Sequence, residues 1–402
     1  MNTARDFDAS FVDGFDFRYP KLARVVYGSG CLTREVPAQL RAWGISRTVV
    51  AANRSLAGSR EVGELMNVLQ ESGIKALLFS ERMQHCPLQI AARLATAAAA
   101  HGATVLIALG GSSVSDTAKA ANLLATFAPS GDTASLDDLR GRIDAGAPLA
   151  WRLMAAPTTL SGGEFTPVVG ISDPATGNKA VLRHPGLCSD VILLDPELQR
   201  HTPDRLWAAT GFKLLDHAVE RLLARNHRPL VDAQCVFGAQ WLLSLLEDSL
   251  GGTPAASQNR GKILQALWVI QSSSGNVGTG LSHALAHQLG SAYGLDHGCG
   301  SAICLPATLR LLDSTGRLER ARVDLVARAF DVAPGEGAVH RVLEKMESLR
   351  QRLGLPGNLR DAGVTGIDID RVAAAVLADP TAKSSPGHAL VPRDVAGLLE
   401  TI

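Results

Sequence analysis

The chain has 402 residues, of which 46% are hydrophobic and 19% are charged, so it is long enough for two domains and is not disordered. Acidic and basic residues are equal in number, 39 of each, which argues against a nucleic-acid-binding face or a membrane-surface face. We find no signal sequence at the start and no run of about 18 apolar residues, so we expect a cytoplasmic protein without a transmembrane helix.

The first half of the chain alternates between strand patterns and helix patterns. Apolar runs predict strands at 23–27, 48–52, 76–80, 104–109, 152–159, 179–182 and 191–194. Helical patterns lie between the early runs, at 61–72 and 88–101. This alternation predicts a doubly wound α/β domain on a parallel sheet, which binds ligands beyond the carboxyl ends of its strands.

A glycine-rich turn follows the fourth predicted strand. Its sequence is Gly110-Gly111-Ser112-Ser113, and the helix that should follow carries Asp116 and Lys119. Glycines let the backbone approach a phosphate closely, and the start of a helix offers unpaired N–H groups. We therefore predict a phosphate-binding turn. The alternative is a plain strand-to-helix turn in which serine caps the helix.

After about residue 198 helical periodicity replaces the strand patterns. We therefore predict an α/β domain over residues 1–198 and an all-helical domain over residues 199–402. Thr202-Pro203 predicts the start of a helix, with Thr202 as its cap, that carries Lys213 and His217 on one face. Further helices are predicted at 260–272, 307–312, 319–329, 339–353 and 369–377.

Histidines cluster in the second half. His283 and His287 are four residues apart and share a face if that segment is helical, and His297 should return from the loop beyond Gly294. With His217 upstream, this favours a functional site over four unrelated core histidines. Six cysteines without a CxxC pair predict reduced, buried thiols, and packing is favoured over a ligand role for Cys299 and Cys304.

Taken together, these motifs resemble the iron-containing (group III) alcohol dehydrogenase superfamily and, within it, the maleylacetate reductases. The motifs that carry the resemblance are residues 23–30, 110–119, 157–159, 164–167 and 195–198 and the three later histidines. It implies an N-terminal doubly wound dinucleotide-binding domain and an all-α C-terminal domain, as in the dehydroquinate synthase-like architecture. The cofactor-binding residues that it implies are Asn53, Gly110, Gly111, Ser112, Ser113, Asp116, Lys119, Thr158, Thr159 and Lys179.

The resemblance leaves the nicotinamide cofactor open between NADH and NADPH. Relatives that prefer NAD carry an acid at the end of the second strand, where Asn53 and Arg54 stand here. An acid there binds the ribose diol and repels a 2′-phosphate, so its absence slightly favours NADPH.

This sequence differs from the metal-dependent members of the superfamily at the metal site. Metal-dependent members hold iron or zinc with one aspartate and three histidines; the histidines map to His217, His283 and His297, and the aspartate position is Lys213. At ~4 Å and an effective dielectric of ~20, a unit charge is worth roughly 4 kcal/mol to a neighbouring charge. We therefore predict weak or absent metal binding, although three histidines alone can hold zinc.

We expect Lys213 to hydrogen-bond the substrate carbonyl in place of the metal, and His287 or His283 to supply the proton. Alternatively, Lys213 pairs with Asp216 or Glu220 and only fills space. The reaction predicted is NAD(P)H-dependent reduction of a small oxo acid such as maleylacetate, or of an aldehyde. Cations that could bind a dicarboxylate are Arg183, Lys179 and Lys213.

Three other functions remain open at this point: a metal-dependent (Fe or Zn) alcohol dehydrogenase, a cyclising lyase of the dehydroquinate synthase type, and a catalytically degenerate nucleotide-binding protein. The resemblance also implies a homodimer. A small-molecule carbonyl substrate is expected, with no nucleic-acid or membrane partner.

Overall fold

The computed structural model describes residues 12, 14–129, 135–173, 178–386 and 390–402. These residues form two compact units. One unit runs from Tyr19 to Thr202; the other runs from Pro203 to Ile402 and also includes the described residues before Tyr19.

The first unit is built on a six-stranded parallel sheet with the strand order β1-β8-β5-β4-β2-β3. Two further strands, β6 and β7, form an antiparallel pair. In chain order its elements are β1 (Arg24–Tyr27), α1 (Cys31–Ala42), β2 (Arg47–Ala52), α2 (Arg54–Ala57), α3 (Arg60–Glu71), β3 (Lys75–Phe79), α4 (Leu88–His101), β4 (Val105–Gly110), α5 (Ser112–Phe127), α6 (Leu136–Arg142), β5 (Arg152–Pro157), β6 (Val168–Asp173), β7 (Asn178–Arg183) and β8 (Val191–Leu194).

Helices cover both faces of this sheet, which explains the unbroken apolar runs. One core joins the sheet to α1 and α3, and another joins it to α4 and α5. Every residue of β4 and of β8 is buried, as expected for strands covered on both sides. The predicted doubly wound α/β architecture is confirmed. Strand β6 was missed, because Gly170 interrupts a run in which buried and half-buried residues alternate.

The second unit is helical, and no strand follows β8 in the described part of the chain. Its helices are α7 (Asp204–Leu223), α8 (Pro229–Leu245), α9 (Pro254–Gln271), α10 (Leu281–Tyr293), α11 (His297–Ser314), α12 (Arg320–Ala329), α13 (Ala338–Arg352), α14 (Ile369–Ala378) and α15 (Pro392–Thr401). Among the described residues, no helix combines the length and the apolar character that crossing a membrane requires.

Helix α7 lies at the centre of this unit. Every residue from Trp207 to Leu223 is buried, and the helix packs against α8 and α11. A helix that is buried all round is expected to be apolar, yet the buried part of α7 carries five charged or titratable residues: Lys213, Asp216, His217, Glu220 and Arg221. Buried charges need partners, so this part of α7 indicates a functional site.

Two details at the helix starts differ from the sequence analysis. The predicted capping role of Thr202 is wrong: α7 begins at Asp204, and the Thr202 hydroxyl donates to the backbone oxygen of Thr158 at 2.6 Å. The predicted loop position of His297 is also wrong. It is the first residue of α11, because the Asp296 carboxylate accepts the next two free N–H groups at 3.0 and 3.1 Å.

Other helix predictions were incomplete. The segment 307–312 is only the last part of the 18-residue helix α11, and Pro306 inside that helix made its first part look separate. Helix α8 was missed because it is apolar nearly all round and lacks the one-sided periodicity of a surface helix.

Candidate functional site

The carboxyl end of β4 forms a turn that only glycine fits. Gly110 has φ 148°, and a Cβ on it would lie 2.7 Å from the Val114 side chain. A Cβ on Gly111 would lie 3.0 Å from the side chain of Thr159. Helix α5 follows at once, and no side chain caps its start. A bare helix N-terminus behind a glycine turn is suited to hold the pyrophosphate of a dinucleotide.

Strand β5 ends beside this turn. Gly110 pairs with Pro157 across the sheet, and the N–H group of Thr158 donates to the Gly110 oxygen at 3.1 Å. Thr158 and Thr159 are both buried. The structure therefore brings the predicted glycines and threonines together at one edge of the sheet, with Ser112 and Ser113 in the first turn of α5.

Three other predicted cofactor residues have different surroundings. The buried Lys119 ammonium donates to the backbone oxygens of Thr166 and Val168 at 2.8 and 2.9 Å, and burial lowers its pKa although Asp116 opposes this. It thus fixes the loop after β5. The Asn53 side chain accepts the Leu56 N–H group at 3.0 Å and caps α2. Lys179 lies on β7, but its side chain is outside the described part of the chain. Their roles toward the cofactor stay predictions.

The second unit brings the predicted histidines together. The His283 ring centroid lies 4.4 Å from that of His287, 4.7 Å from that of His297 and 5.0 Å from that of His217. We call these four residues the histidine cluster. One ring nitrogen from each of His283, His287 and His297 lies within 4.8 Å of the others, close enough to hold a metal ion.

Lys213 is buried on the face of α7 that also carries His217, one turn later. Burial lowers the pKa of His283 well below its usual value, and the other histidines and Lys213 lower it further. Burial, Arg221, Lys213 and His287 depress the pKa of His217. Both imidazoles are therefore neutral, and the positive charge of Lys213 adds to the potential around them.

Two buried acids on α7 hold the helix that carries His283 and His287. The Glu220 carboxylate accepts the N–H groups of Gly280 and Ser282 at 2.9 and 2.7 Å, at the start of α10. Asp216 accepts the Ser282 hydroxyl at 3.1 Å. Burial raises the pKa of Asp216 to about 7, although hydrogen bonds from serine hydroxyls and the charge of Lys213 act to lower it. Burial and the nearby Asp216 also raise the pKa of Glu220 well above its usual value.

Asp379 is a supporting residue that the sequence analysis missed. Its carboxylate lies 3.6 Å from Nδ1 of His287 and accepts the Gln288 amide at 3.0 Å. Burial raises its pKa, but hydrogen bonds from His287 and Thr381 outweigh this and lower it to about 2. Asp379 therefore stays ionised beside His287 and orients that ring. Its only sequence signal is an Asp-Pro pair, which predicts a helix start.

The thiols take no part in this arrangement. All six cysteines are buried, and burial raises the pKa of Cys299, near His297, to about 11. A thiol with so high a pKa is a poor nucleophile and a poor metal ligand, which agrees with the predicted packing role.

Two models of one protein family match this chain. The sequence model of the family described as iron-containing alcohol dehydrogenase matches residues 22–196, and the model of the C-terminal part of that family matches residues 207–401. The chain is 28% identical to a maleylacetate reductase of Rhizobium sp. (strain MTP-10005) over 89% of this chain and 90% of the relative. It is 27% identical to a lactaldehyde reductase of Escherichia coli over 92% and 95% of the two chains.

The fold is also that of solved structures. The sulfoacetaldehyde reductase of Bifidobacterium kashiwanohense, solved in complex with NAD⁺, superposes with a TM-score of 0.82 at 20% identity and covers 97% of this chain and 99% of its own. The family models match most of the chain, and the glycine turn and the histidine cluster lie within them. The protein is therefore an oxidoreductase that belongs to the iron-containing alcohol dehydrogenase family.

Proposed function

We propose that this protein uses NAD(P)H to reduce the carbonyl group of a small oxo acid or aldehyde, and that it does so without a metal ion. The observation that carries the proposal is the buried cation of Lys213 next to the histidine cluster. It stands four residues before His217, where the resemblance to metal-dependent members requires a carboxylate.

The donor set fits a metal ion poorly. A protonated lysine offers no lone pair, and replacing a carboxylate by an ammonium changes the local charge by two units. At an effective dielectric of ~20, this change disfavours a dication at ~4 Å by several kcal/mol. Two observations favour the metal-dependent alternative: His283, His287 and His297 are near enough to one another to hold an ion, and so are Asp216, Glu220 and His283.

Lys213 and the histidine cluster can instead activate the carbonyl directly. The nicotinamide, when bound, supplies a hydride to the carbonyl carbon. As the C=O electron pair moves onto the oxygen, the Lys213 ammonium donates a hydrogen bond to that oxygen and stabilises the alkoxide. A buried donor is effective here, because no water competes with it.

His287 is the better proton donor of the two candidates. Its side chain is 26% exposed, so solvent can return a proton to the ring, and its Nδ1 lies 3.6 Å from the Asp379 carboxylate, which orients the ring. His283 is buried and its pKa is depressed, so it carries no spare proton at neutral pH. We therefore assign proton transfer to His287: its Nε2–H bond breaks and the alkoxide becomes the alcohol.

The surroundings of Asn53 favour NADPH. An aspartate there would repel a 2′-phosphate, whereas Asn53 is neutral and the neighbouring Arg54 is exposed and free to approach an anion. Since Asn53 already caps α2, its side chain is held in place at the end of β2.

Positively charged side chains are the basis for the proposed substrate class, because they can bind a substrate carboxylate. Lys213 can pair with a carboxylate near the carbonyl, and Arg205 lies eight residues earlier on α7, ~12 Å along the helix axis. Arg183, exposed on β7, is the third candidate. These groups favour an oxo acid such as maleylacetate over a neutral aldehyde such as lactaldehyde. A homodimer remains a prediction.

A substrate screen tests this function. Purified protein is assayed for loss of NADPH or NADH absorbance with maleylacetate, shorter oxo acids and lactaldehyde. We expect the highest kcat/KM with an oxo acid and a higher kcat/KM with NADPH than with NADH. Turnover of neutral aldehydes alone would overturn the substrate class. No consumption of either cofactor with any carbonyl would favour the lyase or the degenerate alternative.

A further inference from the structure

A buried chain of hydrogen bonds ends at His217. Arg221 donates from Nη2 to Oε1 of Gln271 at 2.9 Å, and Nε2 of Gln271 lies 2.7 Å from Nδ1 of His217. Arg221 also donates to the backbone oxygen of Ile270 at 2.9 Å. Arg221, Gln271 and His217 are 4%, 1% and 6% exposed, so these contacts are buried.

The direction of this chain is fixed by chemistry. An arginine side chain has only donors, so the amide atom of Gln271 that faces Arg221 must be the oxygen. The amide nitrogen therefore faces His217 and donates to Nδ1, which must accept. A ring nitrogen that accepts a hydrogen bond carries no hydrogen, so Nδ1 is unprotonated and the ring has its single N–H group on the other nitrogen. That hydrogen is on Nε2.

We propose that Arg221 and Gln271 lock His217 in the tautomer with its hydrogen on Nε2, so that His217 is a hydrogen-bond donor to the substrate carbonyl and not a metal ligand. This rests on the proposed reductase function. With Lys213 one turn before it on the same face of α7, His217 supplies the second donor for the oxygen that becomes negative during reduction.

The tautomer is a reason for poor metal binding that is independent of the charge of Lys213. A histidine ligand binds metal through a nitrogen lone pair and usually donates its other N–H group to a neighbouring acceptor. Here that neighbour is a donor. For Nε2 of His217 to bind a metal, the Gln271 amide would have to turn and place its NH₂ group against Arg221, which leaves buried donors unpaired.

The tautomer can be measured directly. In protein labelled with ¹⁵N-histidine, the ring resonances of His217 are assigned by their loss in His217→Asn. We expect a protonated Nε2 and an unprotonated Nδ1 in the unsubstituted protein. In Gln271→Glu the new carboxylate can accept from both Arg221 and His217, so we expect the proton on Nδ1 instead. A protonated Nδ1 in the unsubstituted protein would overturn the proposal, whether or not the protein reduces a carbonyl.

Activity tests the role toward substrate. We expect Gln271→Glu to lower kcat/KM for the carbonyl about 10- to 100-fold, as substitutions behind a positioned histidine typically do. The matched control is Gln234→Glu, since Gln234 donates to Ser272 at 2.9 Å in the same unit, and its kcat/KM should be unchanged. If Gln271→Glu reverses the tautomer and leaves kcat/KM intact, His217 does not donate to the substrate.

Discussion

Replacement of Lys213 by methionine is expected to lower kcat by about 10²- to 10³-fold, the loss typical of removing one donor to a developing oxyanion. Methionine has a similar length and is apolar, so the buried position stays filled. The protein should still fold and bind the cofactor, because the glycine turn belongs to the other unit. Steady-state assays in a chelator-treated preparation measure the effect.

Lys262→Met is the matched control, since Lys262 is an exposed lysine of the same unit. Its kcat should equal that of the unsubstituted protein. If Lys213→Met is as active as this control, Lys213 plays no part in activating the carbonyl and only occupies space on α7.

The second large effect concerns stability. Arg322 on α12 donates to the Asp232 carboxylate of α8 at 2.8 Å and to the Leu222 oxygen of α7 at 2.6 Å, and both charged side chains are buried. Arg322→Met leaves Asp232 buried and without its main counter-charge. We expect the free energy of unfolding of the helical unit to fall by roughly 3–5 kcal/mol, as for other broken buried ion pairs.

The loss of stability in Arg322→Met should depend on pH. Burial raises the pKa of Asp232, but Arg322 and His227 outweigh it and hold that pKa below its usual value of 3.8. Since the folded pKa is the lower one, the ion pair stabilises the fold above about pH 4, and this contribution is lost as the pH falls further. The difference between Arg322→Met and the unsubstituted protein in urea unfolding should therefore be largest near neutral pH and shrink in acid.

An exposed pair serves as the control. Arg352 lies 2.6 Å from Glu247, and both side chains are about half exposed. Arg352→Met should change the unfolding free energy by less than about 1 kcal/mol. Equal effects of the two substitutions would contradict the account of Arg322.

The parts of the fold that could be predicted are those in which local pattern and burial agree. The run at 191–194 is apolar without alternation because β8 is covered on both faces, and the structure gives the same bounds. Helix α8 could not be predicted in this way, because a helix that is apolar nearly all round has no period to detect.

The same limit applies to the site. His283 and His287 were predicted together because a helix places residues four apart on one face. Gln271 and Asp379 were not, because they lie 54 and 92 residues from the histidines they contact, and only tertiary packing brings them there. Lys213 was found through the resemblance, because it occupies the position at which metal-dependent members of the family carry an aspartate ligand.

In the proposed mechanism the Lys213 ammonium on α7 replaces a metal ion in stabilising the alkoxide. The most direct test measures two quantities in the same preparation, before and after dialysis against chelator. One is the rate of carbonyl reduction, and the other is the metal content, determined by elemental analysis. We expect kcat to stay constant while the metal content falls far below one ion per chain, and added Zn²⁺ or Fe²⁺ to give no increase. Activity that falls in proportion to the metal removed, and returns when that metal is restored, would contradict the account.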